Sequence, residues 1–195
     1  GLYAETKFDS YVMNPQPRPD IHALSPVIET VRKSLAAAPG PARIVGFDGN
    51  LTPDFNAVYG LESPFGCDAV INKWQWDLAN AAGFVRIWDW RILLTKPQVP
   101  KLLPMLDFLN VRYYVGTPSG GPQPVPGLTE IGQRDLVLHE SRTVWPRAFF
   151  PDRLARYARM PDFVKLVNTA ESLPFAAVEE GVPLSADAAV QPGAK

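Results

Sequence analysis

Apolar residues at Ile28, Val31 and Leu35 recur at the spacing of one helical face and predict a helix over residues 25–38. Ser25 stands where a hydroxyl can cap the first turn, and Pro26 takes the first helical position, where its missing N–H is harmless. Pro39-Gly40-Pro41 ends the helix, and Arg43-Ile-Val-Gly-Phe47 reads as a short buried strand. The helical pattern returns over 68–82, with Val70, Ile71, Trp74 and Leu78 on one side. It returns again over 101–110, where Leu102, Leu103, Leu106 and Leu109 face the core. Val111-Arg-Tyr-Tyr-Val115 is a second strand. Residues 84–94 alternate weakly and fit either a strand or a short irregular piece. Three further runs, 128–133, 135–140 and 144–150, read as short strands, an antiparallel hairpin with an added edge strand. A last short helix is expected over 161–169.

Helix and strand units first, a meander later, predict an α/β or α+β fold: a mixed sheet with flanking helices and a C-terminal antiparallel hairpin. The 21 prolines add long Pro/Gly-rich loops, because each proline fixes φ and removes a backbone donor. The expected organisation is an extended N-terminal connector over 1–23, a single α/β domain over 24–180 and a linker or tail over 181–195.

Charge and cysteine content narrow the classes. The 19 basic and 20 acidic residues form no obvious blocks, which argues against nucleic acid as a partner. The single cysteine, Cys67, excludes an internal disulfide and a paired-cysteine metal clip. No apolar run approaches the roughly 20 residues of a membrane helix. The longest candidate, 84–94, is interrupted by Arg86, Asp89 and Arg91. The start at Gly1, without a signal-peptide pattern, and the small-residue stretch 182–195 create the expectation of a piece excised from a longer protein.

No catalytic or metal motif stands out. Gly46-Phe-Asp-Gly49 follows a strand as a phosphate-binding turn would, but lacks both GxGxxG and GK[ST], so a turn needing positive φ is the expectation. Asp48, Asp54, Glu62 and Asp68 place four carboxylates on one loop, the raw material of a hydrolase. Their spacing matches no EF-hand, and solvated or loop-capping roles are the default. His22 and His139 lie far apart without a third ligand in register, and no serine sits on a GxSxG elbow, so neither a zinc site nor a triad is expected. No cofactor is implied.

The aromatic group Trp74, Trp76, Trp88 and Trp90, with Tyr59 and Phe65, is the best binding candidate. Trp74 and Trp76, two residues apart, cannot share one helical face, so one must leave the core. An exposed tryptophan suits sugar stacking, a bilayer headgroup zone or another domain. Arg112, inside an apolar strand, is expected to pair with a carboxylate, Asp68 or Asp107.

Five phrases carry a resemblance: Arg43-Ile-Val-Gly46, Asn56-Ala-Val-Tyr-Gly-Leu61, Phe65-Gly-Cys-Asp68, Leu106-Asp-Phe-Leu-Asn-Val-Arg-Tyr114 and Trp145-Pro-Arg-Ala-Phe149. In this order, across 26–173, the chain resembles the extracytoplasmic region of the bacterial YfhO-type polytopic membrane proteins. Cys67 stands where that family commonly has tyrosine. Such proteins resemble glycosyltransferases that take sugar from a polyprenyl-phosphate donor on the outer face of the membrane, with the catalytic acid in a loop near the membrane helices. The resemblance implies a non-catalytic accessory domain, periplasmic or at the cell surface. Its partners would be the membrane-embedded part of its parent and an acceptor glycan or lipid-linked sugar. Asn56, Tyr59, Asp68, Trp74, Trp76 and Arg112 are the candidate binding residues. A purely structural or protein-interaction domain is the alternative, and a free-standing hydrolase a third reading.

Overall fold

A computed structural model describes residues 25–38, 40–51, 55–66, 72–88, 91–118 and 124–183. The expected connector over 1–23 and most of the expected tail lie outside them. Helix α1 is Pro26–Ala37, and Ser25 caps it as expected, its hydroxyl accepting from the Ile28 N–H at 3.0 Å. Val27, Ile28 and Val31 are its buried face. Strand β1 is Arg43–Gly46, the one-turn helix α2 is Phe55–Val58 and α3 is Lys73–Ala82. Asn72 caps α3, its side chain accepting from the Trp74 N–H, and Gly83 closes it at φ 80. The helix expected over 68–82 therefore starts at Lys73, while 67–71 lie outside the described residues.

Strands β2 (Arg86–Trp88) and β3 (Arg91–Ile92) form a small antiparallel ribbon. A 3₁₀ turn, Lys96–Gln98, leads into α4 (Val99–Phe108), which is followed by β4 (Val111–Gly116). Val99, Leu102, Met105, Leu106 and Asp107 are the buried residues of α4. Leu103 and Leu109, expected to face the core, only pack against its edge. Strands β5 (Thr129–Gln133) and β6 (Val137–Glu140) make the expected antiparallel hairpin. The four-stranded sheet runs β1-β4-β6-β5, with β1 parallel to β4 and the other pairs antiparallel. The fold is thus a mixed α/β domain with a mixed sheet, flanking helices and an antiparallel hairpin.

Two features differ from the sequence reading. Residues 144–150 form no strand, because the Trp145 N–H is taken by the Asp107 carbonyl at 3.0 Å and prolines interrupt the stretch at 146 and 151. In its place β7 (Leu154–Tyr157) pairs in parallel with β8 (Ala176–Glu179) across the helix α5 (Met160–Asn168).

The main sheet is covered on both faces. Tyr113 and Val115 of β4 pack with Ile44 and the α1 stripe on one side. Val111 and Tyr114 join α3, α4 and α5 on the other. Strict alternation would put Val111 with Tyr113. The register explains the break: Arg43 pairs with Val111 and Ile44 with Tyr113, which makes Arg112 the extra residue of a β-bulge.

Candidate functional site

Where β1 begins, the loop after α2 and the first turns of α3 enclose a cleft of about 590 Å³, within the range of small-molecule sites. Its polar lining includes the Arg43 guanidinium, the Asn56 and Gln75 amides and the Ser63 hydroxyl. Phe65 and Phe84, edge to face at 5.5 Å, form the apolar wall. No carboxylate is among the described lining residues. Arg43 donates from Nη1 to the Leu109 carbonyl at 2.9 Å, while its buried Nε has no partner among the described residues. Burial, then Arg147, lowers the Arg43 pKa from its ordinary value, and Glu62 opposes them. A guanidinium stays charged through such shifts, so Arg43 presents a cation to a ligand.

Trp74 stands at the rim, 43 % exposed, with the tilted Phe163 ring 6.3 Å away. Trp76 is half-buried on the same helix. Of the pair that could not share a face, Trp74 is the one that leaves the core. Behind it the rings continue inward: Phe163 to Phe108 at 5.3 Å, Phe108 to Trp145 at 5.4 Å and Trp145 to Phe175 at 5.3 Å. Trp74 is therefore the solvent end of a packed aromatic row, which fixes its orientation.

The structure divides the sequence-predicted residues. Asn56 and Trp74 line the cleft. Asn56 is buried and donates to the Leu61 carbonyl at 2.7 Å, closing the turn that Gly60, at φ 67, makes possible. Tyr59 packs on the opposite side, against the α1 cluster, and Arg112 sits half-buried at the β4 bulge. Neither is a described lining residue of the cleft. Arg112 does not pair with Asp107, whose carboxylate instead accepts from Ser141 Oγ at 2.6 Å and Thr143 Oγ1 at 2.5 Å. Asp54, Cys67, Asp68, Trp90 and His22 lie outside the described residues, and Trp88 is placed only as backbone on β2.

Of the loop carboxylates, Asp48 is exposed and Glu62 is ion-paired with Arg147. Among the described residues no three His, Cys, Asp or Glu side chains gather as a metal site would require. The Gly46-Phe-Asp-Gly49 turn leaves no room for a phosphate where its first glycine stands. A Cβ on Gly46 would lie 1.6 Å from the Asn50 carbonyl oxygen. Asp48 and Gly49 take φ 52 and 86, which is the positive-φ turn expected from the sequence.

Sequence reading missed Arg43 and Gln75. Arg43 carried a usable signal, a charged residue opening an otherwise apolar strand, whereas Gln75 is one polar residue among several on α3. No protein-family model, curated protein or solved structure matches the chain. What the fold and site define is a mixed α/β domain with an amphipathic cleft that carries the Arg43 cation and an aromatic rim.

Proposed function

We propose that this domain is a non-catalytic, extracytoplasmic accessory module of a bacterial YfhO-type, glycosyltransferase-like membrane protein, and that its cleft holds an acceptor glycan. The observation that carries the reading is Trp74, exposed and held by Phe163 at the rim of a cleft lined by Arg43 and Gln75. A sugar ring presents a C–H face to an aromatic plane and hydroxyls to amide and guanidinium donors, and the rim supplies both.

The family part of the reading rests on the ordered phrases, and their packing supports treating them as one signature. The Arg43 N–H donates to the Asn110 carbonyl at 2.9 Å, and Asn110 Nδ2 to the Trp145 carbonyl at 2.7 Å. Phrases distant in the chain thus depend on one another.

The test is an NMR titration of the domain with neutral and uronic-acid-bearing oligosaccharides, following the tryptophan indole N–H signals. Binding should shift the Trp74 indole, and Trp74→Ala should weaken binding by roughly tenfold while the remaining spectrum stays folded. Failure of every oligosaccharide to move that signal would return the domain to the structural reading. Membrane attachment is tested separately by fractionating source cells. An antibody to this domain should detect a band much heavier than 21.5 kDa in the membrane fraction.

A further inference from the structure

A second surface lies beyond the other end of the aromatic row. Phe150 is 95 % exposed, and Phe149, Leu154 and Leu173 are also exposed large hydrophobics. Their contacts gather them. The Phe149 ring meets Trp145 edge-on at 6.1 Å, and Trp145 meets Phe175 at 5.3 Å. Leu154 opens β7 opposite Ala176 of β8. Arg153 extends over the Phe175 ring at 5.9 Å and donates from Nη2 to the Leu173 carbonyl at 2.6 Å. Scattered exposed apolar residues are ordinary, but this set is grouped, and prolines 146 and 151 stiffen the loop that presents its tip.

The charge around the tip is one-sided. Residues 142–159 contain Arg142, Arg147, Arg153, Arg156 and Arg159 against a single acid, Asp152, in a chain whose net charge is −1. All five arginines are exposed. Arg147 is neutralised by Glu62, Arg159 faces Asp162 at 3.7 Å and Arg153 lies 4.0 Å from Asp152, while Arg142 and Arg156 make no ion pair among the described residues. Arg156 alternates outward with Leu154 along β7. Glu171, before Leu173, Glu179, the last residue of β8 and paired with Tyr157, and Glu180 after it border this area.

We propose that the Phe149–Phe150 tip, backed by Arg153 and Arg156, docks on an anionic phospholipid surface. Aromatic rings favour the headgroup zone, where an apolar face is buried while polar atoms stay wet, and guanidiniums pair with lipid phosphates. The docking uses no residue of the cleft and stands or falls independently of glycan binding.

Co-sedimentation with extruded vesicles tests it. The domain should pellet with phosphatidylcholine–phosphatidylglycerol vesicles far more than with phosphatidylcholine alone, and added salt should weaken the binding. Phe150→Ser, at a site without packing to lose, should leave the melting temperature unchanged and reduce binding. Arg153→Gln with Arg156→Gln should weaken it further, by roughly fivefold for each charge removed. A Phe150→Trp reporter should blue-shift on the anionic vesicles only. Equal partition to both vesicle types, or Phe150→Ser binding like the parent, overturns the proposal. So does a dimer in sedimentation equilibrium that Phe150→Ser dissociates without vesicle binding, which would assign the patch to a second copy of the chain.

Discussion

His139 and Ser141 stand two residues apart at the end of β6, both 1 % exposed, and their polar atoms meet opposite fates. Ser141 donates to Asp107, Thr143 donates to the other oxygen of the same carboxylate, and Asn110 ties the helix end to Trp145. His139 points neither ring nitrogen at a partner among the described residues, and the Phe47 ring meets it edge-on at 5.9 Å. A buried polar group that is bonded fixes geometry, whereas one that is not stays neutral and makes the fold sensitive to proton concentration. The first region decides where α4 stops and β4 starts. The second contributes packing volume until it is protonated.

The hardest test of the bonded region is Asp107→Ala. It removes the carboxylate that accepts from both hydroxyls and leaves Ser141 and Thr143 only each other, 3.1 Å apart, at a cost of about 2–4 kcal/mol, read as a lower midpoint in urea unfolding. Asp107→Asn, which still accepts from one hydroxyl, should cost clearly less. Asn110→Ala comes next. It deletes the Trp145 bond and puts a side chain unsuited to φ 61 at the helix end, an expected loss of about 2–3 kcal/mol. Asn110→Gly separates the two contributions, because glycine accepts the backbone angle but restores no bond. If Asn110→Gly and Asn110→Ala lose equal stability, the left-handed angle contributes nothing.

Those residues also mark how far the sequence could be read. Ser25, Pro26 and the Ile28–Val31 stripe announced α1 because capping and periodicity are local, and the two β-rich runs announced β1 and β4 for the same reason. The β7–β8 pair was illegible. Its strands are four residues each, alanine-rich or arginine-interrupted, and parallel pairing needs a distant partner that no local pattern names. Residues 144–150 misled in the other direction, since their aromatic content suits a strand while the tertiary bond from Trp145 to Asp107 forbids one. At the site, the i, i+2 spacing of Trp74 and Trp76 foretold an exposed tryptophan. It could not foretell that Arg43 would line the same cleft.

Acid should separate the two buried groups. Burial holds the His139 pKa below its ordinary value, and Lys96 adds to this while Glu130, its partner across β5, opposes. Unfolded chains therefore take up the imidazole proton first. Its contribution to stability is constant above about pH 6.5 and declines below that, by roughly 1.4 kcal/mol per unit of depression. Asp107 has the opposite sign. Its carboxyl is raised above 3.8 by burial, although Ser141 and Thr143 draw it back, so the folded state binds its proton first and gains stability as pH falls through that range. His139→Leu should flatten the decline below pH 6.5 in thermal melts followed by circular dichroism. An unchanged slope would place the titration in other groups.

Trp74→Ala is a small expected change in stability and the sharpest functional counterpart to the bonded region. The side chain is already 43 % exposed and has one described ring contact, to Phe163, so truncation should cost about 1 kcal/mol. Glycan affinity should fall by roughly tenfold, equivalent to about 1.4 kcal/mol. Asp107→Asn, which is not a described lining residue of the cleft, should show the reverse profile, a lower melting temperature with affinity retained. Measured together, the two variants ask whether stability and binding reside in different residues of this domain. A Trp74→Ala protein that melts as low as Asp107→Ala would make Trp74 one more member of the aromatic row, and the cleft would lose its rim.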